Sequence, residues 1–283
     1  MPLVPTGDLV EQARLAGRAV AAFNVITLEH AEGIALGAER AGLPVILQLS
    51  ENAVRFHGSP HAIAAASAAV ARNSTSDISL HLDHITDMSL LQMAPELEVS
   101  SVMYDGSDFG YAENVRHTRE AADWGRTRGI WIEAELGKVG GKDGAHAPGV
   151  RTDPEEALQF VDATGVAALA VAVGSSHAMT SKSAALDHAL IRALSSTLPV
   201  PLVLHGSSGV PDGELTLAAQ AGMVKINVGT ALNIAYTSAT RRFLDENPSI
   251  VDPRKYIAPS RDAVADTVER TLQILAGAAA ITL

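Results

Sequence analysis

Short runs rich in Val, Ile and Leu recur along the chain, and Ala- and Glu-rich segments separate them. This alternation predicts βα units around a parallel sheet, because strands covered by helices on both faces are apolar throughout. Eight such runs indicate the α/β class and a (β/α)8 TIM barrel. The predicted strands are Val20–Val25, Pro44–Ser50, Ile78–His84, Ser101–Ser107, Ile130–Leu136, Ala167–Gly174, Pro201–Ser207 and Met223–Thr230.

Helical segments are predicted between these strands, and many begin near Ser, Thr, Asp or Pro. No repeat, low-complexity tract or linker interrupts the 283 residues, so we expect one TIM-barrel domain over residues 1–283. Two further helices should follow the last strand, joined by a Pro-containing connection. The predicted helices are Glu29–Ala41, His61–Arg72, Tyr111–Arg128, Pro154–Ala163, Asp212–Ala221, Leu232–Asn247 and Arg261–Ala276.

Composition narrows the classes of function. Hydrophobic residues make up 47% of the chain, which allows a large core. The net charge of -11 argues against nucleic acid or an anionic membrane surface as a partner. There are no cysteines, so a metal ion would have to be bound by His, Asp or Glu. No signal segment or membrane span is evident, so we expect a cytoplasmic protein.

Polar residues cluster at the carboxyl ends of the predicted strands. In a (β/α)8 barrel this end carries the chemistry, because the βα loops converge there. The sequence therefore predicts a functional site at this end of the barrel. The residues so placed are Asn24, Ser50, Asp83, His84, Asp105, Ser107, Glu133, Glu135, Ser175, His177, His205, Ser207, Asn227 and Thr230.

Three histidines, His84, His177 and His205, end strands three, six and seven. Three neutral imidazoles with one open position form the ligand set of a catalytic zinc site, whereas any one of them alone could be a hydrogen-bonded structural residue. His81 lies inside strand three and fits either interpretation. Most of the remaining histidines are expected to be solvated, and they are His30, His57, His61, His117, His146 and His188.

Asp83 and His84 are neighbours, so a regular strand would direct them to opposite faces. Both can reach the site only if the chain leaves the sheet at His84. Asp83 is then a candidate proton donor or acceptor, and the alternative is a carboxylate that orients a ligand histidine.

Glu133 and Glu135 have the same parity within strand five, and Asp105 and Ser107 within strand four, so each pair can face the barrel mouth. Asp105 and Glu135 could form a second or alternate metal position. The alternative is an inward polar layer or a carboxylate paired with Lys225, since a buried carboxylate needs such a partner.

Two small-residue turns suggest phosphate binding, namely HGSSG (His205–Gly209) and NVGT (Asn227–Thr230). Backbone N–H groups at a helix N-terminus bind anions, and the last two strands commonly hold a phosphate in this fold. The alternative is ordinary turn chemistry in which Thr230 caps a helix. The glycine-rich loop Gly137–Thr152 is long enough to act as a lid, and a second long loop, Ser175–Leu186, follows strand six.

These residues resemble the class II, metal-dependent ketose-bisphosphate aldolases. The similar pieces occur in the family's order over almost the whole chain, and the compact length resembles the tagatose-bisphosphate type more than the longer fructose-bisphosphate type. They are AFNV (Ala22–Val25), HLDH (His81–His84), SVMYDGS (Ser101–Ser107), EAELGKVGG (Glu133–Gly141), GSSH (Gly174–His177), LHGSSGV (Leu204–Val210) and KINVGT (Lys225–Thr230).

The resemblance implies that His84, His177 and His205 hold a catalytic Zn²⁺ and that Asp83 is the acid that protonates the new hydroxyl. Asp105 and Glu135 match positions of a displaced or second metal. Dihydroxyacetone phosphate would be bound at the two turns, often with a monovalent cation such as Na⁺ nearby. The residues expected to bind it are Gly206, Ser207, Ser208, Asn227, Val228, Gly229 and Thr230, and further substrate-binding candidates are Asn24, Ser50 and Lys182.

The chain departs from the family pattern in both long loops. Ala178 follows the GSSH motif where relatives often have Gly, and the Tyr-Lys that commonly comes next is absent, although Lys182 is close. In the first loop, Lys142 and Asp143 stand where longer relatives have paired glutamates. Asp143 is the candidate base that removes the substrate proton.

The resulting hypothesis is reversible cleavage of fructose or tagatose 1,6-bisphosphate to dihydroxyacetone phosphate and glyceraldehyde 3-phosphate by a homodimer or homotetramer. Another phosphorylated ketose or a deoxy-sugar acid is an alternative substrate. Three other functions stay open: a Schiff-base aldolase with Lys225 as nucleophile, a barrel metal hydrolase, and a catalytically silent sugar-phosphate sensor.

Overall fold

The computed structural model describes residues 3–136, 151–175 and 184–277. Within these ranges the strands are all parallel and pair in chain order, and the last pairs with the first, so the sheet closes into a barrel. The predicted (β/α)8 TIM barrel is confirmed. Its strands are β1 (Val20–Asn24), β2 (Val45–Ser50), β3 (Ile78–Ile85), β4 (Ser101–Tyr104), β5 (Trp131–Glu135), β6 (Ala168–Ala170), β7 (Leu202–Leu204) and β8 (Met223–Val228).

Helices surround the barrel, and several start with a side-chain cap. The Asp153 carboxylate, for example, accepts hydrogen bonds from the N–H groups of Glu155 and Glu156, with Pro154 at the first helical position. The helices described are α1 (Thr6–Leu15), α2 (Leu28–Ala41), α3 (Glu51–His57), α4 (His61–Asn73), α5 (Met88–Leu91), α6 (Tyr111–Arg126), α7 (Pro154–Thr164), α8 (His188–Thr197), α9 (Asp212–Ala221), α10 (Thr230–Glu246) and α11 (Pro253–Gly277).

The apolar core has two main parts and one small cluster on β6 and β7. The larger part lies between the outer face of the strands and the helices, where Phe23 and Leu47 are fully buried. The smaller part fills the barrel at the amino ends of the strands, where Ile46 packs with Leu9 and Val10 of α1. Helix α1 therefore closes the amino end of the barrel, and the carboxyl end is left for the site.

Seven of the eight strands are shorter than the sequence indicated, whereas β3 runs one residue further, to Ile85. β6 covers only Ala168–Ala170 of the predicted Ala167–Gly174. The proline-containing connection between the last two helices is present, since Pro248 lies between α10 and α11, but it is shorter than expected because α11 already begins at Pro253 and includes Pro259. Four helices were not predicted: α1, α3, α5 and α8. Among the described residues, no helix has the length and apolar character needed to cross a membrane.

Candidate active site

A cavity of about 800 Å³ opens at the carboxyl ends of the strands. Most of the predicted site residues line it, although they come from five strands, β1, β2, β3, β5 and β8, and from the segments that follow β4, β7 and β8. His205 and Val228 do not line it; both are buried behind the lining. The predicted residues on the cavity wall are Asn24, Ser50, Asp83, His84, Asp105, Glu135, Gly206, Ser207, Ser208, Asn227, Gly229 and Thr230.

Three predicted site residues, His177, Asp143 and Lys182, lie outside the described residues, as do Ala178 and Lys142. Their expected roles as third metal ligand, base and substrate contact remain predictions.

The end of β3 has the irregularity that the sequence required. His84 has a φ of +50°, in the left-handed region that residues other than glycine seldom adopt. The register with β4 shifts between Leu82 and Ile85. Because of this bend, Asp83 and His84 both line the cavity instead of facing opposite sides of the sheet.

The imidazoles of His84 and His205 meet edge to face. His205 Nδ1 lies 3.0 Å from His84 Nε2, and the ring centroids are 4.8 Å apart. Two nitrogens this close could bind one ion, because ligands about 2.0–2.1 Å from a tetrahedral zinc lie a little over 3 Å from each other.

Each of these imidazoles also contacts a carboxylate through its other nitrogen. His84 Nδ1 lies 2.8 Å from Asp105 Oδ2, and His205 Nε2 lies 2.9 Å from Glu133 Oε1. Metal-binding histidines typically donate their second N–H to such a group, which fixes the ring and its tautomer.

Within the described ranges, two groups of residues could hold a metal ion, and His84 belongs to both. One contains Asp83, His84 and His205; the other contains His84, Asp105 and Glu135, and within each group the ligand atoms lie within 4.8 Å of one another. A donor set of imidazoles and carboxylates without thiolate suits zinc or a similar divalent ion. The second group coincides with the predicted second metal position.

The site is electrostatically coupled. Burial raises the pKa of Asp83 above its usual value, and the positive charges of His84 and Lys225 oppose this only in part. Burial lowers the pKa of His84, but Asp83, Asp105 and Glu135 outweigh it and raise that pKa to about 9. Burial also raises the pKa of Asp105, yet its hydrogen bonds with His84 and Ser107 bring it well below the usual range. Clustered shifts of this kind are typical of functional sites.

Lys225 is fully buried and its Nζ donates to Glu133 Oε2 at 2.8 Å. The carboxylate-to-lysine pair, stated from the sequence as an alternative for Glu133, is thus present. Glu133 joins Lys225 to His205, and the lysine does not line the cavity. Its ammonium therefore compensates a buried carboxylate.

The two turns lie together at the edge of the cavity beside the N-terminus of α10. Gly206 has a φ of +69°, and a side chain at Gly229 would place its Cβ 2.8 Å from Asn24 Oδ1. Ser208 Oγ accepts from the Ala231 N–H at 3.1 Å, so Ser208 caps α10, whereas Thr230 shows no capping bond. The geometry suits an anion at this helix end.

Several lining residues were not singled out from the sequence. Gln48 shares the inward parity of Ser50, and this spacing could have identified it; its Nε2 donates to Asn24 Oδ1 at 2.7 Å. Glu51, Arg55 and Phe56 also line the cavity. They belong to α3, which starts where β2 ends. The available signal for α3 was Ser50, whose Oγ accepts from the Ala53 N–H at 3.2 Å.

Most of the other described histidines are at least partly exposed, as expected, and His30 is the exception. His30 is only 4% exposed, because its ring stacks on Tyr236 with centroids 4.9 Å apart. His81 is completely buried, and its Nδ1 lies 2.7 Å from Ser101 Oγ, so within the barrel it is a hydrogen-bonded structural residue.

Comparisons with known proteins agree with this geometry. The family described as "Fructose-bisphosphate aldolase class-II" matches residues 4–279. A fructose-bisphosphate aldolase of Geobacillus stearothermophilus is 36% identical over 272 residues, covering 95% of each chain. A fructose-bisphosphate aldolase of Staphylococcus aureus (strain Mu50 / ATCC 700699) is 34% identical, over 95% of this chain and 96% of the relative.

Solved structures are similar over their full lengths as well. The YdjI aldolase from Escherichia coli K12 superposes with a TM-score of 0.85 at 30% identity, covering 96% of this chain and 97% of the other. A putative fructose-1,6-bisphosphate aldolase from Coccidioides immitis gives a TM-score of 0.83 at 29% identity over 98% of both chains. The chain therefore belongs to the class II fructose-bisphosphate aldolase family and is an aldolase, a carbon–carbon lyase.

Proposed function

We propose that this aldolase reversibly cleaves fructose 1,6-bisphosphate, or its tagatose stereoisomer, to dihydroxyacetone phosphate and glyceraldehyde 3-phosphate, with one Zn²⁺ per subunit. The observation that carries the proposal is the meeting of His84 Nε2 and His205 Nδ1 at 3.0 Å beside the buried Asp83. Aldolases of this class act on phosphorylated sugars, and the two sequence relatives described above are fructose-bisphosphate aldolases.

His84, His205 and His177 would hold the ion, with Asp105 and Glu135 as an alternate position for it or for a second one. The donor chemistry supports this assignment, because two imidazoles converge and each is backed by a carboxylate. When bound, the ion supplies Lewis-acid stabilisation of negative charge on the substrate oxygens.

Asp83 is the proposed acid in the direction of synthesis. Asp143 takes a proton from the carbon beside the carbonyl of dihydroxyacetone phosphate, that carbon attacks the aldehyde, and Asp83 protonates the resulting oxygen. Burial raises the pKa of Asp83, which suits a group that must carry a proton near neutral pH. The Asn227 Nδ2 donates to Asp83 Oδ1 at 3.2 Å and orients it.

The phosphate of dihydroxyacetone phosphate would occupy the edge of the cavity where the two turns meet α10. Backbone N–H groups of Gly206, Ser207 and Ser208 and of the segment Asn227–Thr230 are the proposed donors, with a monovalent cation such as Na⁺ nearby. Asn24 beside Gly229, Ser50 on the next strand, and Lys182 would contact the rest of the sugar.

A coupled assay with purified, zinc-loaded protein tests the proposal. Both 1,6-bisphosphates are compared with a panel of other phosphorylated ketoses, before and after metal removal by a chelator and after zinc is restored. We expect turnover of at least one bisphosphate, its loss on metal removal and its recovery with zinc. Cleavage that survives full metal removal would contradict the zinc assignment.

The same preparation separates the other functions. A Schiff-base aldolase would be trapped by borohydride in the presence of substrate, with label on Lys225; the buried ion pair of Lys225 with Glu133 disfavours this. A metal hydrolase would release no aldol product, and a sensor would show no turnover. Light scattering tests the proposed homodimer or homotetramer, and fractionation of the source cells tests the proposed cytoplasmic location.

A further inference from the structure

The backbone at His84 needs support from its surroundings. For a residue other than glycine, a left-handed conformation is unfavourable, and it persists only where neighbouring contacts fix it. If the chain relaxed to a regular strand at this point, Asp83 and His84 could not both face the cavity.

On one side, β4 provides this support through backbone contacts. Ile85 pairs with Tyr104 across the register shift, and the Asp105 N–H donates to the Ile85 carbonyl at 2.9 Å. Ile85 itself is fully buried.

On the other side, β2 cannot provide it in the same way. The β2–β3 pairing ends at Ser50 and Asp83, because β2 gives way to α3 at Glu51. The Thr86 N–H instead donates to Glu51 Oε2 at 2.6 Å, and Thr86 Oγ1 donates to the two Glu51 oxygens at 3.1 and 3.0 Å. A side-chain carboxylate thus takes the place of the next strand contact.

Glu51 is suited to this role by its position. It is 7% exposed, lies in the first turn of α3 where a negative charge is favoured, and also accepts a hydrogen bond from Arg55. We propose that Glu51 is a positioning residue of this aldolase: by holding Thr86 it fixes the left-handed turn at His84 and so directs that imidazole toward the metal. The inference rests on the proposed function, since it assumes that His84 is a ligand.

The chain contains a matched control at the opposite end of β3. Glu39 accepts from Ser74 Oγ at 2.8 Å and from the Thr75 N–H at 2.9 Å, so it holds the entry of β3 as Glu51 holds its exit. Both glutamates bind one hydroxyl and one backbone N–H. Glu39 lies in the last turn of α2, remote from the cavity lining.

The test measures metal binding, not only activity. Metal-free wild type, Glu51→Gln, Thr86→Val, Thr86→Ser and Glu39→Gln are titrated with Co²⁺, followed by its visible absorption, and with Zn²⁺ against a competing chelator. We expect Glu51→Gln to alter the Co²⁺ spectrum and to weaken metal binding about 10-fold, the lower end of the loss seen when a group bonded directly to a metal ligand is removed, because Glu51 acts through Thr86. Thr86→Val should weaken metal binding less than Glu51→Gln does, and Thr86→Ser should bind metal as tightly as wild type.

Glu39→Gln should lower the free energy of unfolding while metal affinity stays within twofold of wild type. Equal weakening by Glu51→Gln and Glu39→Gln, or wild-type affinity and spectrum in Glu51→Gln, would overturn the proposed role of Glu51. If Glu51→Gln does not fold, equal affinities of Thr86→Val and Thr86→Ser would overturn it as well. A wild type that binds neither metal would instead contradict the proposed function itself.

Discussion

Polar side chains are buried at both ends of the barrel, but their surroundings differ. At the amino end, Thr6 of α1 meets Ser79 and Ser101, and their hydroxyl oxygens lie within 3.1 Å of Thr6 Oγ1. All three residues are fully buried. At the carboxyl end, the His84 imidazole and several carboxylates surround an open cavity.

The difference lies in which polar atoms are satisfied within the described residues. The hydroxyls of the amino end bond to one another under α1. At the carboxyl end, the buried Gln48 Oε1 and Asn227 Oδ1 have no hydrogen-bond partner there. Since a buried polar atom without a partner is costly, such atoms beside a cavity are best explained by a ligand. One end of the barrel thus contributes to stability and the other to function.

Replacing Asp83 with Asn should have the largest effect and tests the functional role of the carboxyl end. The amide keeps the size of the side chain but cannot transfer the proton, so kcat should fall about 10²–10⁴-fold. Steady-state assays of the zinc-loaded variant, with its metal content measured, would check this. If kcat stays within tenfold of wild type at full metal content, Asp83 is not the acid.

Glu133→Gln should cause the largest loss of stability. It leaves the ammonium of Lys225 buried without a charged partner, which typically costs about 3–5 kcal/mol. Urea unfolding of metal-free protein measures this loss. The double variant Glu133→Leu/Lys225→Met should regain most of the stability but not the activity, because His205 has still lost its carboxylate. A double variant with wild-type turnover would show that Glu133 serves the fold alone.

Much of the fold could be predicted from the sequence, because apolar runs at βα spacing specify the strands. Strand ends could not, since the polar residues that close each run look the same whether they stay in the sheet or leave it. Helix α1 was missed because it precedes the first strand and is not part of a βα unit. Its apolar residues Leu9 and Val10 are buried against the amino end of the barrel, which the sequence pattern does not indicate.

The site was predictable where one residue constrained its neighbour. The adjacency of Asp83 and His84 required a bend at the end of β3, and the bend is there. The contact of Glu133 with Lys225 spans 92 residues, so sequence could offer it only as an alternative. The role of Glu51 was hidden because it depends on where β2 stops relative to β3.

Thr6→Val tests the amino end. The change keeps the shape of the side chain but removes the oxygen that Ser79 and Ser101 share, which should cost about 1–3 kcal/mol of unfolding free energy. The same change at the exposed Thr75 is the control and should alter stability by no more than about 0.5 kcal/mol. Both variants should keep wild-type kcat and KM. A fall in kcat for Thr6→Val would show that the two ends are coupled.

The smallest effect is expected at His30, which sharpens the contrast with His84. Burial lowers the pKa of His30, and Glu29 opposes this only in part, whereas carboxylates raise that of His84. The unfolded chain therefore binds a proton at His30 that the folded chain excludes, and stability from this residue is lost as the pH falls below about 6.5. His30→Phe keeps the stacking on Tyr236 but has no proton to bind. In urea unfolding of metal-free protein, the unfolding free energy of the variant should fall less steeply with decreasing pH than that of wild type. Equal slopes would mean that His30 binds its proton as readily in the folded as in the unfolded chain, so that burial in this aromatic contact does not keep the imidazole neutral.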